Sequence, residues 1–463
     1  MRAEIIRQQF QHGQLDACAL AALFARGEIT PLAFTEACLA AAQRASAIFI
    51  TLTPERAREE AAAATLRWQC GAPLSVFDGV PVAWKDLFDV AHTRTTAGSA
   101  LRQHAPFAGV DAPLVARAAR AGMVTLGKTN LSEFAFSGLG LNPTFGTPWL
   151  RTPAGSERAP GGSSSGAARA IAEGLVCIAL GTDTGGSVRI PAAFSGVVGY
   201  RASRGRYEDG GVFPLAASLD TLGPLCRSVR DAQTLDAILC GSAEPPLGAP
   251  HFVADTALLD QCDAPVRENG YRALAQLEAA GFRIAYRAVK AMHNALAWIA
   301  DNGWPGAVEA FQLHADALAS PQAEKMDPFV RQRLIDSGRL SPTVLSTFLQ
   351  HRMQWQRALA NELAGAVLIT PTVAHTAPLL SPLHDAETFA QTNRATLRLT
   401  MPGSLLDMPG VALPSGGADT GLFTSLLFSL PSGEDARLLA AANAAAAVLM
   451  PGNPAQCDSV TQP

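Results

Sequence analysis

The sequence predicts one large α/β domain, and three observations favour that fold class. The chain has 463 residues, 48% of them hydrophobic and 16% charged, so it can bury an extensive core. Helical and strand-like patterns alternate from about Gln69 to Cys240. Between Pro160 and Pro191, two loops rich in glycine and serine flank a single helix–strand unit. We therefore expect residues 1–463 to form a single α/β domain.

Three helices are expected to form an N-terminal layer before the alternating part of the chain. The pattern predicts them over residues 15–26, 31–44 and 54–69. Thr30 can act as the N-cap of the second helix, and Pro31 suits its first position, where a missing N–H costs nothing.

The segment between the two glycine- and serine-rich loops is predicted to be a helix followed by a buried strand. Residues 165–173 contain alanine and isoleucine, which propagate helices, and Gly174 follows as a C-terminal stop. Residues 175–180 are a short apolar run typical of a buried strand, and a second helix is predicted over residues 188–194. Such a unit brings small hydroxyls and free backbone N–H groups to one point.

Glycines after the predicted strand let the backbone turn sharply. Gly181 and the run Thr-Gly-Gly-Ser at 184–187 allow successive N–H groups to converge on an oxyanion. The Ser187 hydroxyl would stand at the start of the second helix, where the helix dipole favours developing negative charge. One loop of this kind is usually a flexible turn, but two loops around one helix–strand unit indicate acyl chemistry.

A nucleophilic serine needs a base, and Lys85 is the candidate. It ends the apolar run at 80–84, where partial burial would disfavour the ammonium form and lower the pKa of the side chain. An isolated lysine after a strand is ordinarily a solvated end residue. The combination of Lys85 with the two serine-bearing loops favours the catalytic interpretation.

The combination resembles the amidase signature family, with the match covering about residues 79–231, the expected catalytic core. The matching segments are Gly-Val-Pro-Val-Ala-Trp-Lys-Asp at 79–86, Gly-Lys-Thr-Asn at 127–130, Pro-Gly-Gly-Ser-Ser-Ser-Gly at 160–166 and Gly-Thr-Asp-Thr-Gly-Gly-Ser-Val-Arg-Ile-Pro at 181–191. The resemblance implies a central mixed β-sheet covered by helices on both faces. It also implies a Ser-Ser-Lys triad of Ser187 as nucleophile, Ser163 as bridge and Lys85 as base, and the two serines stand 24 positions apart as the family pattern requires.

The resemblance assigns further roles around this triad. It implies a cis peptide bond entering Ser163, which would also contact substrate. The remaining assignments are an oxyanion hole from the backbone N–H groups of Thr184, Gly185, Gly186 and Ser187, structural support from Asp183, Arg189 and Ser164, and an acyl pocket beside Ala135 and Phe136. Core packing is the competing interpretation of Ala135 and Phe136. The implied activity is hydrolysis of a carboxylic amide C–N bond, with release of ammonia or an amine and no cofactor.

Two other functions fit part of the pattern. The same triad would serve the glutaminase subunit of a tRNA-dependent amidotransferase, although residues 326–350 lack the tyrosine-rich segment usual in those subunits. An α/β-hydrolase esterase would use residues 162–166 as its nucleophile elbow, with His375 or His384 as base, but no strand precedes that elbow. A scaffold without catalysis is disfavoured because all three triad positions are present.

Two binding patterns are expected to be accidental. Residues 122–129 fit the P-loop expression, yet their centre is Met-Val-Thr-Leu, which is typical of a β-strand and not of a phosphate cradle. A zinc site is not expected because no Cys-X-X-Cys pair occurs among the cysteines at positions 18, 38, 70, 177, 226, 240, 262 and 457.

The composition limits the binding partners and the cellular compartment that we expect for this protein. The net charge of −4 and the low charge density argue against nucleic acid as a partner. Residues 1–8 lack an apolar signal region, and no run of 18 apolar residues occurs, so neither secretion nor a membrane span is expected. Eight scattered cysteines then favour reduced thiols in the cytoplasm. The expected partner is a small amide substrate, with a homodimer as the assembly to consider.

The last part of the chain is expected to add an outer helical region, two further strands and a final helix to the fold. A glycine- and proline-rich boundary is predicted at 241–250, followed by a mostly helical region at 251–363 that shapes substrate access. The segments predicted after it are strands at 366–370 and 410–414, a closing helix at 432–449 and a disordered tail at 451–463.

Overall fold

An eleven-stranded mixed β-sheet forms the centre of the protein in the computed structural model, which describes residues 1–241 and 250–450. A separate two-stranded sheet lies outside it. The strands in chain order are β1 (Phe49–Leu52), β2 (Pro81–Lys85), β3 (Val124–Thr129), β4 (Leu150–Arg151), β5 (Glu157–Arg158), β6 (Ile178–Thr182), β7 (Val198–Arg201), β8 (Leu222–Cys226), β9 (His251–Ala254), β10 (Arg283–Tyr286), β11 (Val367–Pro371), β12 (Gly410–Gly416) and β13 (Thr424–Ser429).

The order across the large sheet is β1-β3-β2-β6-β8-β7-β12-β13-β11-β9-β10. Strand β2 runs parallel to both β3 and β6, and β9 runs parallel to β10 and β11. The central pairs from β6 to β11 are antiparallel. The sheet is therefore mixed, as the resemblance implied, and the carboxyl ends of β2 and β6 meet at one edge because those strands are parallel neighbours.

Helices flank this sheet. In chain order the α-helices are α1 (Arg2–Gln11), α2 (Ala17–Ala25), α3 (Pro31–Ala42), α4 (Pro54–Gln69), α5 (Pro113–Arg120), α6 (Ser165–Ala172), α7 (Arg189–Ser195), α8 (Val229–Cys240), α9 (Thr256–Leu259), α10 (Ala264–Ala279), α11 (Lys290–Asn302), α12 (Pro305–Ala319), α13 (Pro328–Ser337), α14 (Thr343–Leu363), α15 (Ala386–Leu397), α16 (Met401–Leu405) and α17 (Asp435–Leu449). No helix in the described ranges is long and apolar enough to cross a membrane.

The helix–strand unit at the centre of the sequence pattern forms as predicted, with a shift at the strand. Helix α6 ends where Gly174 takes a φ of 64°, a conformation that glycine adopts without strain. Strand β6 begins at Ile178 and not at Leu175, because Leu175 donates its N–H back to Ala170 and completes the turn after the helix. Helix α7 begins at Arg189, one residue later than expected.

The N-terminal layer contains the three predicted helices and one more. Thr30 caps α3, since its hydroxyl accepts the Ala33 N–H at 3.2 Å. The additional helix is α1, whose Phe10 side chain is buried. The polar start of the chain gave no core-facing pattern strong enough to predict it, and α1 packs against α3.

The region at 251–363 contains helices α9 to α14, but the prediction missed two strands. Strands β9 and β10 add a parallel edge to the sheet next to β11. They are only four residues long, so little strand pattern could show in the sequence. The two predicted strands after this region correspond to β11 and β12, and the closing helix is α17. The predicted disordered tail and most of the predicted boundary lie outside the described residues.

Candidate active site

The parallel pairing of β2 and β6 brings the base candidate to the centre of the site. Lys85 is the last residue of β2, and Thr182 is the last residue of β6. Lys85 Nζ donates to Thr182 Oγ1 at 2.8 Å and contacts Ser163 Oγ at 2.7 Å. Two of the three predicted triad members therefore share a hydrogen bond, and Thr182 holds the amine in place from the other side.

The environment of Lys85 favours its neutral form. The side chain is wholly buried, and burial lowers its pKa from the ordinary 10.5 to about 7, against the opposing attraction of Asp183 and Asp220. Neither of these carboxylates forms an ion pair with Lys85 in the described chain. An amine with a pKa of about 7 exchanges protons readily at neutral pH, which is the property a general base needs.

Ser163 lies in a tightly packed loop. The peptide bond between Gly162 and Ser163 is cis, in agreement with what the resemblance implied. A Cβ atom on Gly162 would lie 2.6 Å from the Gly140 backbone N, so glycine is required there. The carbonyl of Ser163 accepts the N–H of Ser132 at 3.1 Å, which ties the loop to the segment that follows β3.

Ser187 lies beside this loop, with its side chain at the surface of a pocket. The carbonyl of Ser187 accepts the Ser164 N–H at 3.1 Å, which joins the two glycine- and serine-rich loops. The Ser187 hydroxyl forms no hydrogen bond with any described residue, and it is not directly bonded to Ser163. The fold thus places all three predicted triad members in one site, with the link from Lys85 to Ser163 formed and the link from Ser163 to Ser187 open.

Asp183 organises the loop that carries Ser187. Its Oδ1 accepts the Gly186 N–H at 2.8 Å, and its Oδ2 accepts the Val188 N–H at 3.1 Å. Arg189 donates from Nη2 and Nε to the same carboxylate at 2.8 and 3.0 Å. Burial alone would raise the pKa of Asp183, but the Arg189 guanidinium and its hydrogen bonds lower it to about 2. Arg201, also buried, adds a longer ion pair at 3.7 Å.

The same contacts reduce the number of N–H groups that are free to form the expected oxyanion hole. The N–H of Gly186 is already directed to Asp183, so it is not free to meet an oxyanion in this conformation. The N–H groups of Thr184, Gly185 and Ser187 have no acceptor among the described residues. Gly186 is nonetheless essential to the turn: its φ is 133°, and a Cβ atom there would lie 2.3 Å from Thr400 Oγ1.

Two further contacts hold the N–H groups in position. Thr184 Oγ1 donates to Asp220 Oδ1 at 2.5 Å, and Thr400 Oγ1 donates to the Gly185 carbonyl at 2.6 Å. Asp220 also accepts the backbone N–H of Leu215 at 2.8 Å. The loop is therefore fixed from both ends, which is the arrangement expected of preorganised oxyanion donors.

A small pocket opens against Ser187. Ala135 and Phe136, which the resemblance placed beside an acyl group, are in its wall. Ala135 has a φ of 60°, an uncommon value for alanine that turns this segment toward the pocket. The lining residues are Ala135, Phe136, Ser137, Thr184, Gly185, Ser187, Leu215, Trp304, Arg333, Leu397 and Met401.

Several of these residues were missed from the sequence. Trp304, Arg333, Leu397 and Met401 belong to α-helical elements after residue 290 or to their ends, which carry none of the motifs. Thr182 was missed although it stands inside a motif. A signal was available for Thr182, because it lies two residues after the predicted strand at 175–180 and inside the motif at 181–191.

The segment that fits the P-loop expression has an ordinary structural role. Gly127 and Lys128 lie within β3, and the Lys128 ammonium pairs with Asp86 at 2.6 Å in the interior. The seven cysteines within the described chain are all free thiols. No group of three potential metal ligands occurs among the described residues.

The proposed histidine bases of the esterase interpretation lie elsewhere. His375 Nδ1 is 2.9 Å from the Thr376 carbonyl oxygen, and His375 Nε2 is 3.1 Å from Thr396 Oγ1. Within the part of the chain that the structure describes, neither His375 nor His384 contacts a loop serine by a hydrogen bond. The geometry therefore gives no Ser-His pair at residues 162–166. The expectation that no strand precedes these residues was wrong, because Glu157 and Arg158 form the two-residue strand β5 by pairing with β4.

Comparison with known proteins identifies the class. The family model described as Amidase matches residues 33–439. The 2-amino-5-chloromuconic acid deaminase of Comamonas testosteroni is 33% identical over 442 residues, which cover 90% of this chain and 93% of that protein. The chain therefore belongs to the amidase family, and it is an enzyme that hydrolyses amide C–N bonds.

Two further relatives show where the similarity is concentrated. A solved amidase structure superimposes with a TM-score of 0.81 at 32% identity, covering 93% of this chain and 98% of that chain. The glutamyl-tRNA(Gln) amidotransferase A-type subunit of Cupriavidus necator is 45% identical, but over only 203 residues, 42% of this chain and 39% of that protein. The whole-length similarity is thus to amidases and a deaminase.

Substitution of Asp183 tests how far this residue stabilises the loop that carries Ser187. We expect Asp183→Asn to lower the free energy of unfolding by about 3–5 kcal/mol, because it leaves the buried Arg189 charge uncompensated. Urea unfolding monitored by tryptophan fluorescence measures this, with Asp209→Asn at an exposed position as the control. The pKa of Asp183 is lowered to about 2, so its contribution is complete above its ordinary value of 3.8 and is lost as the pH falls through 2. A loss below about 0.5 kcal/mol, comparable to an ordinary surface substitution, would contradict this role.

Proposed function

We propose that this enzyme hydrolyses a carboxylic amide through an acyl-enzyme on Ser187, with Ser163 and Lys85 as the proton relay and no cofactor. The observation that carries the proposal is the contact between Lys85 Nζ and Ser163 Oγ at 2.7 Å. It supports the proposal because it occurs in a wholly buried site, where the amine has a pKa of about 7. A neutral amine in hydrogen-bond contact with a serine is a group able to withdraw a proton from it.

The first half of the reaction forms the ester. Lys85 takes the proton of Ser163 as Ser163 takes the proton of Ser187, and Ser187 Oγ bonds to the amide carbon. The hydroxyl of Ser187 must turn toward Ser163 for this step, since no bond joins them in the free enzyme. Hydrogen bonds in a catalytic site commonly tighten only when substrate is present. The relay then returns the proton to the amide nitrogen, the C–N bond breaks and the amine leaves.

The second half releases the acid. Water loses a proton to Ser163 and through it to Lys85, and its oxygen bonds to the ester carbon. Ser187 recovers its proton from the relay as the ester bond breaks. In both halves the negative oxygen is expected to face the free N–H groups of Thr184, Gly185 and Ser187, which need no reorganisation to receive it.

The pocket supports a small acyl group. Its walls of Phe136, Trp304 and Met401 suit an apolar carbon skeleton next to the reacting carbonyl. We assign Ala135, Phe136 and Ser163 to substrate binding on this ground. The helices after residue 290 supply Trp304 and Arg333, so we assign the region at 251–363 to substrate access.

The glutaminase subunit of an amidotransferase is the second candidate. It is favoured by the 45% identity to an A-type subunit of such an enzyme, and it is limited by the 203 residues over which that identity extends. Affinity purification from the native host and a glutaminase assay separate the two functions. Co-purifying subunits together with glutamine-dependent ammonia release would replace the amidase proposal with this one.

Removal of the nucleophile is the decisive test of the proposed function. Ser187→Ala should reduce amide hydrolysis about 10⁴-fold or more while the protein remains folded, as for other serine nucleophiles. A fluorophosphonate should label Ser187 in the wild type, as located by peptide mass spectrometry, and Ser164→Ala should still be labelled. A Ser187→Ala enzyme with near wild-type turnover would refute the assignment.

Replacement of the base gives an independent result. The kcat/KM of the wild type should rise with pH through about 7, because only the neutral amine of Lys85 accepts a proton. Lys85→Ala should lose most activity and regain part of it at high pH, where hydroxide replaces the base. His375→Gln serves as the control and should retain activity. The opposite outcome would restore the esterase interpretation: an inactive His375→Gln variant together with an active Lys85→Ala variant.

A further inference from the structure

A larger cleft adjoins the pocket at Ser187. It measures about 1900 Å³ including its open mouth. Trp304, Arg333, Leu397 and Met401 line both spaces, so the cleft and the pocket adjoin at these residues. Helices α11, α12, α13 and α15 supply most of the cleft wall.

The wall of the cleft is mostly apolar, but its charges are predominantly positive. Three arginines, Arg333, Arg394 and Arg398, face one carboxylate, Asp336. Asp336 is already paired, since its Oδ1 accepts Arg339 Nη1 at 2.8 Å. The cleft therefore carries an excess of positive charge in a largely apolar setting.

Arg333 and Arg394 form a like-charged pair without a counterion. Neither has an ion pair with any carboxylate in the described ranges. Burial, and second the neighbouring charge of Arg394, lower the pKa of Arg333 to about 10. Arg398 donates to the neutral amide of Gln261 at 2.9 Å and likewise has no ion pair among the described residues. An anion between these guanidiniums would relieve the repulsion.

Arg333 is also fixed in place at the boundary between the pocket and the cleft. Its Nη1 donates to the Phe136 carbonyl at 2.8 Å, and its Cζ lies 4.1 Å from the centre of the Phe136 ring. Its Nε and Nη2 have no acceptor in the described chain. A guanidinium held in one orientation with two unused donors is well suited to a planar carboxylate.

We propose that the cleft binds a carboxylate at the far end of the acyl group, so that the substrates are monoamides of dicarboxylic acids. The inference rests on the proposed function for the amide end of the molecule. The apolar wall between Ser187 and the arginines receives the carbon chain, and Arg333 and Arg394 receive the carboxylate. The reaction would then release ammonia and a dicarboxylate.

The kinetic test compares charged and neutral amides of equal length. The monoamides of succinic, glutaric, adipic and pimelic acids are measured against the matching unbranched aliphatic amides. At the best length, we expect kcat/KM for the monoamide to exceed that of the neutral amide by about 10-fold or more, as one well-formed charge-assisted pair provides. The length series locates the carboxylate relative to Ser187.

Arg394→Gln and Arg331→Gln form a matched pair of variants. Arg394→Gln should reduce kcat/KM for the best monoamide by about 10-fold and change the neutral amide by less than about twofold. Arg331 lies on α13 outside the cleft, where it pairs with Glu324, so Arg331→Gln removes a charge of the same sign and should leave both substrates unchanged. Equal wild-type rates for both substrates, or an equal loss on both in Arg394→Gln, would overturn the inference.

A binding measurement separates this inference from the proposed function. Calorimetry with Ser187→Ala should detect glutarate or adipate, with affinity that falls as salt rises and is lost in Ser187→Ala/Arg394→Gln. If no amide is hydrolysed by the wild type, the proposed function fails, and Arg394-dependent dicarboxylate binding still supports the site. If amides are hydrolysed and no dicarboxylate binds, the proposed function stands and this inference is wrong.

Discussion

The burial of Lys85 is the constraint on which the rest of the site depends. The amine lies at the end of a fully buried strand, with hydroxyls of Ser163 and Thr182 as its neighbours and no carboxylate paired with it among the described residues. An ammonium in such a place is poorly stabilised, so the pKa falls to about 7. Because this value lies below the ordinary 10.5, Lys85 destabilises the folded protein at every pH below about 10, and this cost diminishes as the pH rises from 7. The proposed role of Lys85 as a base accounts for this cost, because only the neutral amine can accept a proton.

The loop that carries Ser187 is stabilised by a buried charge that is paired, in contrast to the unpaired Lys85. Asp183 is buried like Lys85, but two arginines and the backbone of its own loop compensate its charge. A fixed carboxylate of this kind sets the directions of the N–H groups around it. Thr400 and Asp220 anchor the same loop from the far side. The unpaired lysine and the paired aspartate therefore have separate roles: in the proposed mechanism Lys85 transfers protons, and Asp183 fixes the geometry of the loop.

The sequence predicted the parts of this site that depend on short, unusual local patterns. The two glycine- and serine-rich loops, Lys85 at a strand end and the central helix–strand unit could all be read from neighbouring residues. The sequence did not predict that Gly186 uses its N–H on Asp183, because that depends on the precise turn. It also did not predict the pocket wall from Trp304 and Arg333, since ordinary amphipathic helices carry them and only tertiary packing brings them to Ser187. The edge strands β9 and β10 were missed for the same reason, as pairing with β11 and not a local pattern defines them.

The ionisation state of Lys85 tests the account most directly, and the chain is well suited to the measurement. It contains only four lysines, Lys85, Lys128, Lys290 and Lys325. Selective ¹³Cε-lysine labelling therefore gives four NMR signals, and Lys85→Met identifies the one that belongs to Lys85. If Lys85 is the buried base of the proposed mechanism, this signal titrates with a midpoint near 7 in the free enzyme. A Lys85 signal that titrates only at about 10 or above, like an ordinary solvated lysine, would contradict it.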